Sequence, residues 1–228
     1  AYELDGGRPA ATGELLHGVT GGMSTWGDLK AQAANLLGIR LNDTDVLDGP
    51  LLATDLYGNF IPGANGMPQL VTAGGLVEAS LAAPVDASLA LSTGHGFLDD
   101  IAHSANPFNS QTGTLKTADA DGDLGLGTVG SYDNELLDRH FITGDGRGNE
   151  NIALTAVHTI FHGEHNRQID AVKETLLGST DVALLNEYLI TPLDVNTDLS
   201  TLTVEQKAAL IWNGERLFQA ARFTTEQV

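Results

Sequence analysis

The sequence predicts a mainly α protein with an irregular, loop-rich N-terminal part, and two observations carry that expectation. Residues 151–177 place Val157, Ile160, Phe161, Ile169, Val172 and Leu176 at helical spacing and stop at Gly178, with further helical segments behind them. Residues 1–90 instead interrupt every short apolar run with turn chemistry: Asp5-Gly6-Gly7, Asp48-Gly49-Pro50, Tyr57-Gly58-Asn59 and Gly63-Ala64-Asn65-Gly66. The expected organisation is one domain over 1–228, loop-rich at 1–90 and a helical core part at 91–228. With 228 residues and 42% hydrophobic composition, the chain can bury roughly 70% of its unfolded surface.

In chain order, the first helix is expected over 25–37. Thr25 is its N-cap, Leu29, Ala33, Leu36 and Leu37 share a face, and Gly38 ends it. A second helical stretch is expected over 93–105, followed by a polar loop that holds Asp119-Ala120-Asp121-Gly122-Asp123. An EF-type calcium loop needs glycine sixth and glutamate twelfth, and counting from Asp119 gives Leu124 and Gly130, so this loop reads as solvated acid. After the long helix, a shorter one is expected over 180–189, before Pro192. Another opens with Thr203 and Gln206 in a capping-box arrangement and carries Leu210, Ile211, Leu217, Phe218 and Ala221.

Composition excludes several functions. The formal charge of -19, from 30 acidic against 11 basic residues, repels phosphate backbones and anionic membrane faces, so no nucleic-acid partner is expected. Without cysteine there is neither a disulfide framework nor a thiolate site. No apolar run approaches the roughly 20 residues that span a bilayer, and no signal-peptide pattern opens the chain, so no membrane insertion is expected. The chain starts at Ala1 without methionine and stops at Val228 inside a helical pattern, so an internal fragment is expected.

Two constellations carry potential chemistry. His158, His162 and His165 stand four and three residues apart on one helical face, a spacing that suits zinc. The zinc-hydrolase helix needs a glutamate directly after its first histidine, however, and that position is Thr159, which favours histidines hydrogen-bonded within a helix interface. Immediately before the helix, Gly144-Asp145-Gly146-Arg147-Gly148-Asn149-Glu150-Asn151 flanks an arginine with glycines that let backbone approach a flat ligand. By spacing alone it equally reads as an exposed loop entering a helix, with Glu150 near the positive end of the macrodipole.

Order and spacing over a longer stretch tip this balance. The run from Gly144 to Glu150, then Leu154-Thr155-Ala156-Val157-His158-Thr159-Ile160-Phe161, then Glu164-His165-Asn166-Arg167, resembles the central signature of the animal-type haem peroxidases. Trp212 and Glu215-Arg216-Leu217-Phe218-Gln219-Ala220-Ala221-Arg222 resemble the helix leading toward the proximal side of that family. Leu51-Leu52-Ala53-Thr54-Asp55 and Gly58-Asn59-Phe60-Ile61-Pro62-Gly63 are similar to its secreted bacterial branch.

The resemblance implies a partial haem peroxidase catalytic domain, mainly α, binding haem b (iron protoporphyrin). It implies structural calcium in the full-length parent, hydrogen peroxide and a small reducing substrate as partners, a role in the response to oxidative stress, and an extracellular location. It gives Arg147 the role of distal arginine, catalytic and cofactor-binding, because a permanently charged guanidinium stabilises the charge left on the departing peroxide oxygen. Glu150 matches the glutamate that forms an ester with a haem methyl in mammalian members, and Asn151 stands where one of them links a methionine to a vinyl group, a link asparagine cannot make. The family's distal histidine follows a Gln-x-x-Asp-His run that these residues lack, and its proximal histidine lies beyond the position of Arg222. His103 and, more weakly, His95 imitate the distal pattern and read as structural, so no metal ligand is assigned and the fragment by itself is expected to be inactive. Two rival readings are a non-catalytic extracellular calcium-binding or adhesion module, on the acidic loop, and a histidine-based metallohydrolase.

Overall fold

The computed structural model describes residues 1–19, 21–56, 58–99, 101, 104–125, 130–143 and 145–227. The chain divides into a terminal unit, Ala1–Leu16 with Ile160–Val228, and a middle unit, His17–Thr159.

In the middle unit, helix α1 (Trp26–Gln32) begins where the sequence predicts, because Thr25 and Asp28 form a reciprocal capping box. A π-helical turn, Ala33–Leu37, extends it to Gly38, which adopts a left-handed φ of 67°. Only glycine fits there, since a Cβ would also strike the backbone of Ser80. The remaining regular structure consists of short ladders. Strand β3 (Ile39–Arg40) runs parallel to β6 (Val85–Asp86), and β4 (Gln69–Thr72) forms an antiparallel hairpin with β5 (Gly75–Glu78). Strand β7 (Thr117–Ala118) runs parallel to β8 (Ser131–Tyr132), which leads into helix α2 (Asn134–Asp138). Trp26, Val46, Leu70, Leu98 and Leu137 are wholly buried in one apolar core around which these pieces are wrapped.

The helix expected over 93–105 does not form among the described residues there. Gly94 takes a positive φ of 73°, and the backbone N–H groups of Phe97 and Leu98 both bond to Val46 O, at 2.8 and 3.1 Å. Gly49 N donates to His95 O at 2.7 Å, so the segment pairs with a distant loop instead of coiling on itself. His103 lies outside the described residues.

In the terminal unit, β1 (Tyr2–Asp5) and β2 (Arg8–Ala11) form a hairpin whose two-residue turn, Gly6-Gly7, uses φ values of 55° and 81°. Helix α3 (Ile152–Gly178) has the expected extent, its residues 160–178 lying in this unit. It is followed by α4 (Val182–Asn186), α5 (Val204–Ala208) and α6 (Gly214–Thr225). One apolar cluster gathers Leu176, Val182, Leu185, Leu189 and Leu199, and a second gathers Ile169, Leu217 and Ala221.

Two expectations about these helices need correction. The helix that opens at the Thr203 capping box ends at Ala208, and a second helix starts at Gly214 under its own cap, Asn213, which accepts from Arg216 N. Tertiary pairing causes the break: Ile190 N donates to Ile211 O and Asn213 N to Tyr188 O, both at 2.8 Å, which draws 211–213 into extended backbone. The apolar stripe of α3 is also covered only toward its C-terminal end, where Ile169 and Leu176 are buried, while Val157, Ile160 and Phe161 are exposed.

Candidate functional site

The loop before α3 is held by its own polar side chains, all within the middle unit. Asn149 bridges both backbone groups of Phe141, accepting from its N–H at 2.7 Å and donating to its C=O at 2.8 Å. Thr143 Oγ1 donates to Asp145 O at 2.8 Å, and Gly148 gives room for the Thr143 side chain, which a Cβ would strike. The glycine at 148 therefore serves the packing of the loop itself. Asn151 Oδ1 accepts from Ala153 N and Leu154 N at 3.0 and 3.3 Å and so caps the long helix.

Arg147 stands on this loop with its side chain 77% exposed. Asp145 grips it along one edge: Oδ1 accepts from the Arg147 backbone N and from Nε, each at 3.0 Å, and Oδ2 accepts from Nη2 at 2.8 Å. Those bonds hold the Asp145 carboxyl far below the usual carboxylate range, and they raise the already high pKa of the guanidinium. Glu150 is exposed three residues further on, and Ile152, 89% exposed, begins α3 beside it. Sequence reasoning missed Asp145 as a partner. The signal that could have found it is a short carboxylate two residues before an arginine, the spacing of an Asx turn.

Among the described residues, the helical histidines form no group of converging ligand atoms. His162 Nε2 donates to Leu16 O at 2.8 Å and His165 Nε2 to Gly13 O at 3.2 Å, both in the terminal unit. Asn166 joins them, accepting from Leu15 N at 2.8 Å and donating to Leu15 O at 3.2 Å. The Glu164-His165-Asn166-Arg167 run thus sutures residues 13–16 along α3, and Arg167 folds back on Glu164 at 2.7 Å. Burial lowers the pKa of His165 against the opposing bond to Gly13, which keeps the ring neutral. His158, in the middle unit, has its Nε2 shut off from solvent without a hydrogen-bond partner. Among the described residues, the three metal-ligating side chains that do converge are Asp119, Asp133 and Glu135. Asp121 and Asp123 are solvated as the sequence implies, but Asp119 is half-buried.

Residues 107–226 match the model of the animal haem peroxidase family, and the chain belongs to that family. At the level of the family, the match supports a peroxidase-type function, an oxidoreductase chemistry that uses haem. No curated protein and no solved structure matches the chain. The rival readings, a metallohydrolase and a non-catalytic calcium-binding or adhesion module, receive no support from the match. No described helix is long and apolar enough to cross a membrane.

Haem makes two demands, and the described residues fit one of them. Around its ring a porphyrin takes a charged donor, a polar group and apolar contact, and Arg147, Glu150 and Ile152 are exposed on one segment that offers these types. At the iron the described residues single out no donor. His162, His165, His140 and His17 each place a ring nitrogen on a backbone carbonyl, and the Nε2 of His158 is enclosed by protein. No iron ligand is assigned to these residues.

Proposed function

We propose that this chain supplies the distal cation of a secreted bacterial haem peroxidase, which in its full-length form reduces hydrogen peroxide while oxidising a small donor. The observation that carries the reading is the family match across 107–226, which spans Arg147, Glu150 and all of α3. When bound, the haem would supply the redox chemistry, with the proximal and distal histidines coming from outside these residues, and the full-length protein would also hold structural calcium.

Arg147 cannot lose its proton, and Asp145 fixes the Nε and Nη2 edge of its guanidinium. A cation held in place before the reaction stabilises charge on the departing oxygen without reorganising. Because Asp145 takes one edge only, Nη1 remains as a donor for a ligand. Glu150 meets the haem edge, by hydrogen bond or by the ester formed in mammalian relatives. By themselves, the 228 residues carry no turnover.

The test uses the full-length protein, expressed with haem. Arg147→Gln is expected to lower the rate of reaction with peroxide by about 10²- to 10³-fold, the usual effect of removing one preorganised donor. Haem content, read from the Soret band, should stay unchanged, and Arg147→Lys should recover part of the rate. A haem-replete Arg147→Gln enzyme as fast as wild type, or a full-length protein that takes up no haem, overturns the reading.

A further inference from the structure

Where β7 and β8 end, two carboxylates leave the strands side by side. Ala118 pairs with Tyr132 in parallel register, and Asp119 N donates to Tyr132 O at 3.0 Å, so the next residues of the two strands are Asp119 and Asp133. The first turn of α2 then adds Glu135. One oxygen from each of the three lies within 4.8 Å of the others, twice the roughly 2.4 Å of a Ca–O bond.

Proximity of acids is common on a chain this acidic, and a second observation separates this group from the rest. Asp119 Oδ1 and Glu135 Oε2 are both closed off from solvent, and neither accepts a hydrogen bond. Asp133 is fully buried, and among the described residues its two oxygens accept from the backbone N–H groups of Gly125 and Leu136, each at 2.6 Å. Buried carboxylate oxygens without donors forfeit their hydration and recover nothing. A group that repairs this must be positive, accept oxygen ligands from several directions and carry no hydrogens of its own. Hard divalent cations have that chemistry.

We propose that Asp119, Asp133 and Glu135 bind one divalent cation of the calcium type, which ties the ends of β7 and β8 to α2. The site stands on the middle unit alone and does not depend on the role given to Arg147.

Calorimetric titration of the chelator-stripped 228-residue chain with calcium chloride, in about 0.15 M potassium chloride to suppress diffuse attraction, tests it. One saturable site per chain is expected, together with a rise in the melting temperature. The double variant Asp119→Asn/Glu135→Gln should lose both signals. Asp170→Asn/Glu174→Gln, which removes the same charge from the terminal unit, should keep them. Should the first double variant fail to fold by circular dichroism, Asp119→Asn alone is read in its place, with at least tenfold weaker calcium binding expected. The proposal is overturned if wild type shows no saturable site, if the charge-matched variants bind equally, if Asp119→Asn binds like wild type, or if magnesium binds and calcium does not.

Discussion

Asp43 accepts from Trp26 Nε1 at 2.9 Å, from Lys30 Nζ at 2.8 Å and from Tyr132 OH at 2.8 Å, so helix α1 and strand β8 of the middle unit meet on one carboxylate. Burial opposes its ionisation, yet the bonds from Lys30, Trp26 and Tyr132 outweigh that and hold its pKa below the usual range. Asp43→Ala would strand a half-buried ammonium and two buried donors. It should lower stability by about 2–4 kcal/mol in urea unfolding, whereas a loss below about 1 kcal/mol would mean that Asp138, 2.6 Å from Lys30, suffices alone. Nothing local to Asp43 announces this role, because its partners stand at 26, 30 and 132. Arg147 is the opposite case. Its residue type and its glycine-flanked setting are written into eight consecutive positions, and the fold adds the grip of Asp145 on its guanidinium.

At the scale of elements, the helices were legible wherever their signals are contained within a few residues. Thr25 is an N-cap and Thr203 with Gln206 forms a capping box where the sequence places them, and Gly38 and Gly178 close their helices. What the pattern could not tell was that 211–213 would be drawn into extended backbone by 188–190, or that Val46 would capture 97–98. The suture of residues 13–16 to α3 likewise depends on carbonyls about 150 positions away from the rings that bind them. It also makes stability depend on pH. His165 is neutral in the fold, with its pKa lowered chiefly by burial, while in the unfolded chain it titrates near 6.5. Between those two values the unfolded state binds the additional proton. The contribution of His165 is therefore fully present above about pH 6.5 and is lost as the pH falls through the lowered folded value. The urea midpoint should fall with pH across this window, and less steeply in His165→Gln; identical slopes for the two proteins would show that other groups carry the dependence.

For the whole molecule, the charge of -19 sets a self-repulsion that acts on both units. Raising potassium chloride from about 0.01 to 0.5 M screens it and should raise the melting temperature by several degrees, and a melting temperature that falls with salt would show that the ion pairs outweigh the repulsion. Family membership, the long helix, the capped starts and the exposed Arg147 loop follow from residues that are neighbours in the chain, since helical periodicity, capping and turn chemistry each act over only three or four positions. Tertiary structure alone decided that His162 and His165 bond to backbone, that Asp43 collects three donors, and that Asp119 meets Asp133 and Glu135. Each of those outcomes depends on which distant backbone or side-chain group is left without a partner once the cores have packed, and no local pattern encodes that.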